Sequence, residues 1–379
     1  MNSRQRVINA IENKPVDRFP IDFGGHFSSG ISAFAYKNLR DYLGLCSKNI
    51  EIIDMVQMLS RVDDDILERF HVDVVPLFRK FSNTKRYNYR GDYEFIVPDS
   101  FNPELKENGD ITVEFGGQKI RMPDGGFFFD GGWPDFSGLN YDEILKITKP
   151  ECERLFKETD YFILNPRAFY AFFKPDNMDW QCKMLTDPDE IIEENELFWS
   201  YTEKDLIKMI DTYGENMQGI MLNADLGTQT STFVRPEIFN ELCAPYIKRF
   251  CDFVHNNSCY KVLIHSCGAI SALIPTFIEC GIDAVNPVQI SASGMEPEKL
   301  QGEFGKKIAF WGGGVNTQHV LGMKGSDEVI KNVNELTNIF KKTGSGYIFN
   351  PVHNVMGDVP PENIVAAFSA AYANSKYEN

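Results

Sequence analysis

The chain lacks the marks of several simple function classes. No run of its 379 residues is long and charge-free enough to cross a bilayer. The start, Met1-Asn2-Ser3-Arg4-Gln5-Arg6, has no apolar secretion core, so a cytoplasmic protein is expected. Positive charge is scarce: 38 Lys and Arg stand against 54 Asp and Glu, a formal net charge of -16. That balance makes nucleic acid and membrane surfaces unexpected partners. The eight cysteines form no Cys-x-x-Cys and no paired framework, and most read as reduced, small buried hydrophobes. A Walker loop, a dinucleotide fingerprint and a Ser/His/Asp signature are all missing, as are internal repeats and low-complexity segments.

What is present is regular. Hydrophobic residues make up 43% of the chain, enough for a large core. Eight short apolar runs read as strands: Phe19 to Phe23, Val72 to Leu77, Tyr161 to Asn165, Gly219 to Asn223, Tyr260 to His265, Ile282 to Asn286, Lys307 to Trp311 and Gly346 to Asn350. Amphipathic segments between them read as helices, including Pro188 to Tyr213, Pro236 to His255 and Ser326 to Thr343. Strands alternating with helices pair in parallel, and eight of them predict an α/β fold, a (β/α)8 TIM barrel spanning residues 1–379 as one domain. One stretch, about 79–160, breaks the alternation after the second strand. It combines β-like alternation at Tyr93 to Val97 and Ile111 to Phe115 with a Gly-rich aromatic run, Gly125 to Pro134. This antiparallel β insertion is expected to be either a lid or aromatic wall at the active rim, or a hairpin that covers barrel surface or supports a homo-oligomer.

Barrel active sites lie at the C-terminal strand ends. Those ends carry Asp22 and His26, Pro76, Asn165 and Arg167, Asn223 and Asp225, His265 and Cys267, Asn286 and Gln289, Gly312 to Gly314 with Asn316, and Asn350, His353 and Asn354. In His265-Ser266-Cys267-Gly268 the imidazole and the thiol are two apart on one strand end, so they project together. An open catalytic zinc site needs three protein ligands. His353, just past the last strand, is the best third, with His26 and Asp225 as alternatives. His71, His255 and His319 read as surface or capping residues. The Gly312 to Gly314 triplet fits a phosphate cradle, close backbone approach to a substrate or plain turn geometry.

These residues resemble the uroporphyrinogen decarboxylase superfamily, and within it the corrinoid-linked methyltransferase branch. The carriers are Arg18-Phe19-Pro20, Asp225 to Gln229, His265 to Gly268, Gly281 to Gln289, Phe310 to Gly313, Gly346 to Phe349 and Pro360 to Ile364. The decarboxylases hold a many-carboxylate tetrapyrrole with N-terminal arginines. Phe19 to His26 has none, which disfavours tetrapyrrole chemistry. The methyltransferase branch holds zinc with His-x-Cys and a distant Cys, where this chain has His353. The resemblance therefore implies zinc on His265, Cys267 and His353, with one thiolate and a stronger Lewis acid. It implies methyl transfer from a small O- or N-methylated substrate, an aryl methyl ether favoured, to a Co(I) corrinoid. No Asp-x-His-x-x-Gly occurs here, so the corrinoid is expected on a partner protein. Asp22 or His26 would give a proton to the leaving atom. Asp225 would serve the chemistry, and Asn223, Asn286, Gln289 and Asn316 would bind substrate. The alternatives are metal-assisted cleavage or decarboxylation of a small acid, and a non-catalytic ligand-binding barrel.

Overall fold

A computed structural model of the chain describes every residue except Arg79, Arg90, 166–168 and 378–379. Arg167, one of the strand-end residues above, therefore lies outside the described residues. Seven parallel strands form the sheet path of the barrel: β1 Val74–Pro76, β2 Phe162–Leu164, β3 Gly219–Asn223, β4 Lys261–His265, β5 Ala284–Asn286, β6 Ala309–Trp311 and β7 Tyr347–Ile348. They neighbour one another in chain order, as a βα repeat demands. A short piece, Phe169–Tyr170, continues past β2 and pairs with the end of β3.

The eighth position departs from expectation. Phe19 to Phe23 is not a regular strand, yet it joins the two ends of the sheet. Phe349 N–H donates to Pro20 O (2.8 Å) and Asp22 N–H to Phe349 O (2.8 Å), while Asp73 N–H donates to Ile21 O (2.8 Å). A fixed charge cluster explains the departure. The enclosed Asp73 carboxylate accepts from Arg6, from Arg18 and from Ile21 N–H, so a side chain takes ladder bonds that a strand would have made.

The barrel interior is a separate apolar cluster: Val74, Phe162, Leu164, Met221, Leu263, Ala284, Ala309, Trp311 and Ile348. Val7, Ala10 and Ile11 of the helix Ser3–Ile11 extend it. Their contacts place that helix at the N-terminal strand ends, where Glu12 pairs with Lys261 at the start of β4. The opposite end is left for chemistry.

Helix Pro188–Tyr213 forms with the expected bounds. The expected helix from Pro236 to His255 is instead two, Pro236–Leu242 and Ala244–Asn257. Pro245 is the reason: it has no N–H for the preceding turn and tolerates only a helix start.

The insertion builds a hairpin, Thr84–Tyr89 with Tyr93–Pro98, and a three-stranded antiparallel sheet, Glu104–Leu105, Ile111–Phe115 and Gln118–Met122. Within the expected 79–160 bounds, the final part is the helix Tyr141–Glu158. The rings of Tyr89, Tyr93, Phe95 and Phe127 surround Phe34 at 4.9 to 5.5 Å. Phe127 also presses on Gly357, where an added Cβ would lie 2.4 Å from its ring. The insertion therefore packs against the chain segment that carries His353, at the C-terminal rim.

Candidate metal centre

Two-residue alternation builds the mouth. Met221, Leu263, Ala284, Ala309 and Ile348 face the interior. The residues two further along face the same way: Asn223, His265, Asn286, Trp311 and Asn350. Asn223, His265 and Asn286 are direct register partners on β3, β4 and β5. One polar layer thus sits on an apolar floor.

His265, Cys267 and His353 converge above that layer. Their donor atoms all lie within 4.8 Å of one another. Cys267 Sγ is 3.9 Å from His265 Nε2. His265 Nδ1 is 3.0 Å from Asn286 Oδ1, and Asn286 Nδ2 donates to Trp311 O, which fixes the amide orientation. His265 Nδ1 therefore carries the proton, and Nε2 presents its lone pair toward Cys267. This is the support a metal-bound imidazole needs, so the residues fit a zinc ion on two nitrogens and one sulfur. Asn286→Ala should lower metal affinity about 10- to 100-fold, read by competition with a chelator. Unchanged affinity would show that the ring holds its place without the amide.

The turn after β4 is fixed from three sides. Asp225 Oδ1 accepts from Cys267 N–H (3.1 Å), Gln289 Oε1 from Gly268 N–H (2.8 Å), and Ser266 Oγ from Leu226 N–H (3.0 Å). The His353 loop is tied down by its neighbour. Asn354 accepts from Gly30 N–H and donates to Phe27 O and Gln57 Oε1. It thereby joins this loop to the segment that carries His26.

Burial sets the ionisation of the site. It lowers His265, His26 and His353, the last to about 4, so all three stay neutral at neutral pH. Burial and the Asp225 carboxylate raise the Cys267 thiol, which keeps its proton. Metal loading at pH 7.5 should therefore release about one proton per chain, from Cys267 and none from the histidines. Calorimetry in two buffers of different ionisation enthalpy measures this; no proton released would mean that Cys267 is already a thiolate.

The other expected site residues separate. Asp225 is more than half exposed, with Oδ1 3.8 Å from His265 Nε2, at the open side of the centre. Asn223 is half-buried and its side chain has no hydrogen bond among the described residues. His26 is buried, and its ring centre lies 6.0 Å from that of His265. Its Nδ1 contacts Ser28 Oγ and accepts from Ser28 N–H, and its Nε2 is unpartnered. Ser28 Oγ in turn donates to Asn286 Oδ1 (2.8 Å).

Four expected site residues are already engaged by the protein, beginning with Asn286, expected to bind substrate, whose amide bonds His265, Ser28 and Trp311 O. Asp22 is fully enclosed and accepts from Trp311 Nε1 and Gly25 N–H (2.8 Å each). Burial pushes it up to about 6, but with these bonds it supports Trp311 rather than facing the mouth. The Gln289 amide oxygen is taken by the Gly268 turn. Asn316 caps a turn, accepting from Gln318 N–H and His319 N–H. Sequence reading gave no role to Ser28 or Asn350; the alternation of β7 could have flagged Asn350. Beside Phe27 lies a cavity of about 150 Å³ lined by Met55, Phe81, Trp133 and Phe136.

Comparison with known proteins agrees over the part that carries these ligands. Residues 209–373 match the family model described as Uroporphyrinogen decarboxylase (URO-D). The chain resembles the uroporphyrinogen decarboxylase superfamily. A solved methyltransferase from Methanosarcina mazei is 13% identical and covers 98% of this chain and 99% of its own, with a TM-score of 0.60, which shows a shared fold. A solved IOLI protein with a bound zinc atom is 14% identical over 62% of this chain and 81% of its own, at a TM-score of 0.34. A search of curated protein sequences finds no match.

Proposed function

We propose that this uroporphyrinogen decarboxylase-like chain, one barrel domain, is a zinc-dependent methyltransferase. It takes a methyl group from a small O- or N-methylated substrate, an aryl methyl ether favoured, for a Co(I) corrinoid carried by a partner protein. The observation that supports this most is the convergence of His265, Cys267 and His353 at an open barrel mouth. The shared fold with a methyltransferase is in keeping with it.

Bound zinc would supply Lewis acidity at the leaving heteroatom. Asn286 holds His265 in the ligating orientation. The free Asn223 side chain and Asp225 at the open side orient the substrate. For an aryl ring we assign the aromatic side chains of Phe27, Trp133 and Phe136, which line one cavity, with Phe27 next to His26 in the chain. Buried His26 keeps its Nε2 unpartnered at the mouth, while Nδ1 is engaged by Ser28. The Nε2 nitrogen is assigned as a hydrogen-bonding partner of the departing heteroatom, which keeps the bonding electrons as the methyl group leaves for Co(I).

The family likeness also raises decarboxylation of an acid. The charged groups that shift the site's ionisation are Asp225 and neighbouring histidines, with no Lys or Arg among the described residues. Among the described residues a multiply charged acid would find no counter-charge there. The test is methyl transfer to free Co(I) cobalamin, followed optically across methoxyarenes and N-methyl amines. Zinc-requiring turnover with a methoxyarene is expected. Failure of every donor with zinc-loaded protein would contradict the reading.

A further inference from the structure

Two buried polar side chains at the mouth carry atoms without a partner. Asn350 is fully enclosed, yet neither its Oδ1 nor its Nδ2 makes a hydrogen bond, and the same holds for His26 Nε2. Unpaired buried amides are costly and call for an explanation. Folding supplies none: Ile348, two residues back on the same face of β7, is apolar and packs with the barrel interior. The backbone beside Asn350 is kept bare. Gly312 has φ +116°, and a Cβ there would lie 3.3 Å from Asn350 Oδ1; Gly313 follows with φ +72°. Three successive glycines let that loop adjust to a group bound at the amide.

We propose that Asn350 is a specificity-determining residue whose amide receives an uncharged hydroxyl group of the substrate. The proposal rests on reading this mouth as the substrate site. An unpaired amide offers one acceptor and one donor face, and a hydroxyl answers both. A carboxylate has no proton for Oδ1 and would meet Asp225 without a cation among the described groups that act on the site. An ammonium has no acceptor for Nδ2. Water shares the hydroxyl's chemistry, so the experiment must separate the two.

The experiment is calorimetric binding of 2-methoxyphenol and of 1-methoxy-2-methylbenzene, in which a methyl replaces the hydroxyl. It uses wild type, Asn350→Leu and, as a second variant, Asn350→Ser. Wild type should prefer the hydroxyl compound by about 100-fold, because the matched amide is left unpaired by its analogue. Asn350→Leu should bring the ratio to within about threefold and unfold no lower than wild type, since it removes two unpaired groups. Asn350→Ser should keep part of the preference. Equal binding or no binding of the two compounds by wild type overturns the proposal. So does a preference that survives in Asn350→Leu, which would assign the amide to water alone. Methyl transfer is measured separately. Preference without turnover keeps the subsite and removes the methyltransferase reading; turnover with equal affinities does the reverse.

Discussion

Cys267→Ala should cut zinc-dependent methyl transfer by about 1000-fold or more while leaving the fold intact. One of three ligands is lost, and several kcal/mol of charge stabilisation at the leaving atom go with it. The fold should survive because the thiol is only partly buried and its polar side-chain contacts are with other mouth residues, His265 Nε2 at 3.9 Å and Asp225. His353→Ala should behave alike, since Asn354 rather than His353 anchors that loop. Single-turnover kinetics beside thermal melts of the metal-free proteins check both. Wild-type turnover in Cys267→Ala would remove the thiol from the mechanism.

Gly268→Ala should damage stability and metal binding together. Gly268 has φ +91°, and a Cβ there would fall 2.2 Å from Gly227 O and 2.4 Å from Gly227 C. These are backbone atoms, so no side chain can swing away. The two segments are pressed together because Ala269 N–H donates to Thr228 O (2.8 Å), while Leu226 and Asp225 bond to Ser266 and Cys267. Relief requires moving the 225–229 loop off the strand end, at a cost on the order of 3 kcal/mol or more. The same shift displaces Cys267. A lowered melting temperature with weakened zinc binding is expected. A melt and zinc affinity equal to wild type would mean the loop is not packed as described.

The βα alternation and the His-x-Cys pair were legible because each is local. A buried parallel strand is a continuous apolar run, and two-residue spacing sets which side chains share a face. Placing His353 beside them needed only the barrel's closure. What was not legible depends on competition between groups far apart in the chain. Asp22 and Gln289 look like free mouth polars until Trp311 and Gly268 claim them. The first strand reads as regular until the Asp73 carboxylate takes its ladder bonds. Asn350 shows its significance only through partners it lacks, which no spacing pattern reveals.

The most direct test of the central claim is elemental analysis of the full chain purified without chelator, and again after reconstitution with zinc. About one zinc per chain, absent from Cys267→Ala and His353→Ala, is the expected result. A wild-type chain that holds no metal even after reconstitution would contradict the account.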